Sequence, residues 1–294
     1  MSDSQKSTVG DSQRPLVDLQ CGRHTYPDGT VGIHDVAFSV SPDEVVALVG
    51  GNGAGKSTLL EHLNATLVPD EGELVVDGTE ITGDNESLAR REVGFVFQDP
   101  DTQLVAPTVI DDVAFGLQND GVPPEEARRR ARAALERVDA SHLEGRVPHY
   151  LSGGEKRLVG LAGVLALDPS VVVLDEPLAG LDPERSQLVA DRIRQIRELV
   201  SVVLSTHDLG FAAEIADRVC VMADGDIVGS GTPREVFYDD TLLERANLVP
   251  PRVVRIGRAV GLDSTARPVT EADLVTLLDD ETETLADESR EATH

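Results

Sequence analysis

Lysine is nearly missing from this chain. Among 294 residues only Lys6, Lys56 and Lys156 carry an ammonium group, and the remainder of the 26 basic side chains are arginines. Against them stand 53 acids, for a net charge of −27. A net negative surface repels phosphate, which excludes nucleic acid as a general partner. An acidic excess with so few lysines points to a protein built for concentrated salt, a halophilic surface. At 1 M ionic strength the screening length is only about 3 Å, so repulsion that would strain the fold in dilute buffer is muted. Cysteine is equally scarce. Cys21 and Cys220 stand alone with no C-x-x-C spacing, which argues against a disulfide framework and a zinc site. Long apolar runs are absent too. None approaches the roughly 18 residues that a membrane-spanning helix needs, and Met1 to Arg14 is polar without the apolar core of a secretory signal. These absences leave a cytoplasmic protein large enough to bury a sizeable core.

What is present is glycine in two places. Residues 50–57 read Gly50-Gly51-Asn52-Gly53-Ala54-Gly55-Lys56-Ser57 and match G-x-x-x-x-G-K-[ST]. An apolar strand pattern, Val45–Val49, runs into this loop, and a helical pattern from Ser57 to Leu67 runs out of it. Glycines let the backbone curl until successive N–H groups face phosphate oxygens, and the helix N-terminus adds partial positive charge. Lys56 is expected to reach the β- and γ-phosphates of ATP, and the Ser57 hydroxyl to ligate Mg²⁺. The second glycine segment, Leu151-Ser152-Gly153-Gly154-Glu155, opens another helix about 100 residues downstream.

Three strand ends carry further chemistry. Val171–Leu174 runs into Asp175-Glu176, an arrangement in which the first acid holds Mg²⁺ and the second polarises the attacking water. His207 follows the strand Val200–Leu204 at a sheet edge where ligands bind in such folds, and is assigned to sensing the γ-phosphate. Gln98 follows the Val93–Phe97 strand and is placed within reach of metal and water.

Strands at Leu16–Leu19, Ile33–Val40, Glu73–Val76 and Val219–Met222, a hairpin partner at Asp226–Ser230, and helices at Pro123–Val138, Glu155–Leu167 and Pro183–Leu199 complete the pattern. Alternation of strands and helices predicts an α/β protein with a mostly parallel sheet covered on both faces. Residues 1–14 are expected to be a disordered lead. After Pro250-Pro251, apolar patches around Val253, Ile256, Val260, Leu274 and Leu277 suit a small helical extension over 246–278, and residues 279–294 an acidic solvated tail.

In order, Tyr26, Gly50–Thr58, Gln98, Leu151–Glu155, Asp175–Glu176, Asp182 and His207 resemble the signature positions of an ABC-type ATPase, and the resemblance covers roughly residues 15–235. It implies a P-loop ABC ATPase domain over 15–245, with a mostly parallel sheet core, an antiparallel β subdomain and a helical subdomain at about 99–168. It implies that Tyr26 stacks on adenine. Gly50, Gly51, Asn52, Gly53, Ala54, Gly55, Lys56, Ser57 and Thr58 would hold the phosphates. Ser152, Gly153, Gly154 and Glu155 would close over the γ-phosphate bound to a second copy of the chain, with Asp182 at that interface. ATP binding would then drive dimer closure. Glu155 stands where the most common signature has Gln, and Asp43 at a turn often held by Gly.

A narrower match follows Gln98. Asp99-Pro100-Asp101-Thr102-Gln103, Thr108-Val109 and Asp112–Gly116 are similar to the segment typical of energy-coupling-factor importer ATPases, which serve cobalt, nickel, biotin and other vitamins. Tyr26-Pro27-Asp28-Gly29-Thr30, Leu151–Arg157 and an extension with Gly261 and Pro268-Val269-Thr270 fit the same group, in which the extension helps two ATPase subunits associate. The match implies the ATP-hydrolysing subunit of such an importer, peripheral on the cytoplasmic side of the cell membrane; the alternatives are the ATPase subunit of another ABC importer class and a soluble ABC ATPase outside transport. Its expected partners are a second ATPase subunit, a transmembrane scaffold and a substrate-binding membrane subunit. Pro100–Phe115 is expected to receive a scaffold helix, with Asp99, Asp101, Asp111 or Asp112 pairing to a basic residue on it.

Overall fold

The computed structural model describes residues 14–262 and 266–279; the expected lead (but for Arg14) and acidic tail (but for Asp279) lie outside them. The chain opens with the antiparallel strands β1 (Val17–Thr25) and β2 (Val31–Val40), then the central strand β3 (Val45–Gly50) and helix α1 (Lys56–Leu63). Strands β4 (Glu71–Val76) and β5 (Thr79–Glu80), helix α2 (Glu86–Glu92) and strand β6 (Val93–Val96) follow. The connection from β6 to the next strand contains helices α3 (Val109–Asn119), α4 (Pro124–Arg137) and α5 (Gly153–Leu165), and no strand. Then come β7 (Val171–Leu174), α6 (Pro183–Ile196), β8 (Ser201–Thr206), α7 (Leu209–Ile215), β9 (Arg218–Ala223) and β10 (Asp226–Gly231), and the short helices α8 (Pro233–Phe237), α9 (Asp240–Arg245) and α10 (Arg252–Ala259).

Two sheets form. One is antiparallel in the order β2-β1-β4-β5; the other runs β10-β9-β3-β8-β7-β6, parallel throughout except for the β10 edge. The parallel strands are mostly apolar because both faces are covered, and side-chain alternation divides them between two cores. Val45, Ala47 and Val49 pack with Val172, Val202 and the helices α3 to α6. Val46 and Leu48 pack with Val173, Val203, α1 and the antiparallel sheet. The extension joins the first of these cores through Val254 and Val269, and the Tyr238 hydroxyl donates to the Pro268 carbonyl at 3.0 Å.

Several elements differ from expectation, α2 and α7 among those that had no forecast. α1 stops at Leu63, short of Leu67, because Ala65 turns left-handed with φ 55° and the Asn64 side chain accepts the Thr66 N–H at 3.1 Å. β1 runs on to Thr25, past Leu19, since it pairs with both β2 and β4. α3 had no forecast; it is started by Thr108, whose hydroxyl caps the Asp111 N–H.

Candidate ATP site

Because β3, β6, β7 and β8 are parallel, their C-terminal ends share one edge of the sheet. The loops leaving them meet in a cleft of 490 Å³ lined by Asn52–Thr58, Gln98, Glu176, His207 and, from the antiparallel sheet, Tyr26. That size suits a ligand of nucleotide dimensions. Asp175 ends β7 nearby, 7% exposed.

The loop after β3 takes its shape from what its glycines avoid. A Cβ on Gly50 would lie 2.4 Å from the Met222 carbonyl oxygen of the neighbouring strand. Gly55 has φ 97° and a Cβ there would meet the Gly32 oxygen at 2.8 Å, so only glycine serves at either place. Gly55 is the N-cap of α1 with no side-chain cap, which leaves the first helical N–H groups directed at the cleft. Lys56 is buried and its ammonium donates to the Gly50 and Gly51 carbonyls at 2.9 and 3.2 Å. The Tyr26 and Thr58 hydroxyls are hydrogen-bonded at 2.9 Å, tying the half-buried Tyr26 to the start of α1.

Glu176 is the most constrained residue of the cleft. Its backbone is left-handed at φ 45°, a conformation that costs a glutamate about 1–3 kcal/mol and persists only where its surroundings over-determine it. The Glu176 N–H donates to Ser205 Oγ at 2.8 Å. Ser205 in turn donates to Asp175 Oδ1 at 2.5 Å. One carboxylate oxygen of Glu176 lies 3.9 Å from Lys56 Nζ and the other 2.8 Å from His207 Nδ1. His207 is largely exposed while Glu176 is largely buried, so the carboxylate is fixed from inside and the imidazole reaches it from the open side.

The second glycine segment lies outside this cleft. Ser152 caps α5, and Glu155 turns back to accept the Ser152 N–H at 2.7 Å, closing a capping box; those bonds hold the Glu155 carboxyl below its usual range. Gly153 is exposed, with Leu181 beside it, and Gly154 packs on Arg185. Asp182 caps α6 through the Arg185 N–H at 3.0 Å and pairs with the Arg185 guanidinium. Thus Ser152–Glu155 and Asp182 form one surface, separate within a single chain from the phosphate loop.

The acids expected to anchor a partner helix are engaged within the chain, which revises that expectation. Asp99 accepts the Asp101 N–H at 3.0 Å, Asp101 pairs with Lys156, Asp111 accepts from Arg128 at 2.9 Å, and Asp112 accepts the Ala106 N–H at 2.7 Å. Beside the exposed Asp99 and Asp101, the segment exposes apolar side chains as well, Val105 at 68% and Phe115 at 49%. Ser205, Arg157 and Gln103 carried no expectation. Gln103 accepts the Phe97 N–H and donates to the Phe95 carbonyl, both at 3.3 Å, and so braces the strand that delivers Gln98.

Comparison with known proteins gives the same assignment. The ABC transporter family model matches residues 33–179. The energy-coupling factor transporter ATP-binding protein EcfA of Methanothermobacter thermautotrophicus is 44% identical over 81% of this chain and 77% of its own. EcfA of Methanocaldococcus jannaschii is 46% identical over 79% and 84%. The solved structure of CbiO1 from Clostridium perfringens, described as part of the ABC transporter complex CbiONQ, has TM-score 0.71 at 35% identity and covers 84% of this chain and 98% of its own. A dimeric ATP-binding cassette in a post-hydrolysis state with ADP and Pi has TM-score 0.66 at 26% identity, over 74% and 99%. With its phosphate loop, paired acids and serine-capped, glycine-led α5 in these places, the chain belongs to the ABC transporter family, among the energy-coupling factor transporter ATP-binding proteins.

Proposed function

We propose that this chain is the ATP-hydrolysing subunit of an energy-coupling factor importer and that it works as one half of an ATPase pair on the cytoplasmic side of the membrane. The observation that carries the reading is the Glu176 carboxylate, held beside Lys56 at the edge of a phosphate-loop cleft. There it accepts a proton from water as the bond to the γ-phosphate opens. Lys56 and the N–H groups at the start of α1 take the phosphate charge, and His207 closes the cleft on its open side. Ser57, Asp175 and Gln98 offer only oxygen donors for Mg²⁺, which fits a hard cation. One Asp175 oxygen is committed to Ser205, and the Ser57 and Gln98 side chains hydrogen-bond to no described residue. When bound, Mg²⁺ supplies neutralising charge to the phosphate oxygens.

Ser152–Gly154 lie apart from the chain's own cleft, and this supports a composite site in which they serve the phosphate loop of a second subunit. The dimeric cassettes among the structural relatives support the same arrangement. The EcfA and CbiO1 likenesses support further subunits of an energy-coupling factor transporter as partners; the sequence resemblance extends this to a membrane scaffold and a substrate-binding membrane subunit, with a transition-metal ion such as cobalt or nickel, or a vitamin such as biotin, as cargo. Among the described residues no helix is long and apolar enough to cross a membrane, so attachment runs through partners. The exposed Val105 and Phe115 supply an apolar surface for a scaffold helix. Co-expression with a candidate membrane scaffold subunit, followed by co-purification and ATP-driven uptake of radiolabelled cobalt, nickel or biotin, tests the reading. An active ATPase that neither co-purifies with the scaffold nor supports uptake would refute it.

A further inference from the structure

Arg157 is a buried cation that forms no ion pair among the described residues. It is 7% exposed, stands on the helix that begins at Gly153, and donates to two main-chain carbonyls, those of Glu176 at 3.3 Å and of Ala179. Its Nε is buried with no acceptor among the described residues. Burial pulls this guanidinium below its usual range, while the charges on Asp99 and Glu176 oppose the pull. Removing a cation from water without a carboxylate partner is costly, and an apolar side chain of similar length would fill the same space. The two carbonyls it grips are those of the left-handed Glu176 peptide and of the turn leading to Asp182. Ser205 holds the N–H side of Glu176 from β8, and Arg157 holds its carbonyl side from α5.

We propose that Arg157 is a positioning residue for the hydrolysis step: it fixes the Glu176 carboxylate at the phosphate-loop cleft and makes that placement depend on the helix carrying Ser152–Gly154. The inference rests on Glu176 as the group that activates water. Arg157 does not line the cleft itself. Its neighbours on the same helix extend the connection, since Lys156 pairs with Asp101 and Gly160 backs onto Gln103, which holds the Phe95–Phe97 strand end. One rigid element therefore joins the glycine segment to the loops bearing Glu176 and Gln98.

The test uses steady-state ATPase kinetics and nucleotide binding on the full chain with Arg157→Met and Arg157→Lys. Arg157→Met is expected to lower kcat about tenfold or more while the KM and the affinity for ATP stay within about twofold. Lysine grips one carbonyl in place of two, so Arg157→Lys should recover part of kcat. In a Glu176→Gln background, Arg157→Met should change the residual rate by less than about twofold, because the carboxylate it positions is gone. A purely structural role would lower the melting temperature and move KM and kcat together. Unchanged kcat in both variants, or a full additional loss in the Glu176→Gln background, overturns the proposal; if Arg157→Met does not fold, normal kcat in Arg157→Lys overturns it alone. Normal turnover by Glu176→Gln itself would instead overturn the role of Glu176.

Discussion

Ser205→Ala removes one hydroxyl and disturbs both acids of the site. Ser205 is fully buried in β8. Its hydroxyl receives the Glu176 N–H at 2.8 Å and donates to Asp175 at 2.5 Å. A buried N–H left without an acceptor costs about 1–3 kcal/mol, and a hydrogen bond to a carboxylate contributes about 1.5–3 kcal/mol. Because the two bonds form one network their losses do not simply add, and about 2–4 kcal/mol is a fair total. Glu176 has an escape that most residues lack, since leaving φ 45° releases about 1–3 kcal/mol of backbone strain. If only about 1.4 kcal/mol of the lost energy had favoured the productive placement of Glu176, turnover falls about tenfold. The expected result is a kcat reduced about 10- to 100-fold with KM within about twofold, measured by a coupled ATPase assay. At about 2–4 °C per kcal/mol for a chain of this size, the melting temperature should drop at least about 4 °C. A variant that melts earlier but turns over at the normal rate would refute the claim that Ser205 holds the catalytic geometry.

Two solution properties follow from other parts of the molecule. His62 is fully buried, and burial pushes its pKa down to about 4. A folded-state value below the unfolded one means that the unfolded chain binds the proton first, so stability falls as pH drops from about 6.5 toward 4, by up to about 3 kcal/mol. Thermal melts across that range should show the slope, and His62→Gln should flatten it; an equal slope in the variant would assign the acid sensitivity elsewhere. For the halophilic surface we propose, stability and ATPase activity should rise from about 0.1 M toward about 3 M KCl as carboxylate repulsion is screened, and a flat or falling melting temperature would remove that proposal.

The parts of the site legible in the sequence are those whose chemistry sits in a contiguous segment. Gly50–Ser57 declares itself because loop, lysine and helix start are adjacent, and Asp175-Glu176 because a buried strand ends on two acids. Unbroken apolar runs located β3 and β7, as parallel strands covered on both faces require, and the shorter run Val202–Leu204 located β8. Ser205 and Arg157 stayed hidden for the opposite reason. Each meets its partners only after the fold brings separate strands and α5 together, and each looks in sequence like one more residue of a strand or helix. Asp101 and Asp111 misled in the same way: their Lys156 and Arg128 partners lie on other helices. α3 escaped notice because its start depends on the side-chain cap of Thr108 and its apolar positions merge with the preceding loop.

The account stands or falls on the composite site, in which Ser152–Gly154 of one chain complete the phosphate loop of another. Light scattering coupled to size exclusion tests it with two variants in ATP and Mg²⁺. Glu176→Gln should bind ATP without turning it over and elute at close to twice the 31.4 kDa of one chain. Adding Gly153→Asp should return it to the mass of one chain while ATP affinity stays unchanged. Gly153 is exposed, a Cβ there meets only the far end of Leu181 at 3.3 Å, and an acid in the first turn of a helix is compatible with folding. The new carboxylate therefore acts by repelling a phosphate that arrives with the partner. A double variant that still doubles its mass with ATP, or that loses ATP binding as a single chain, would contradict the account.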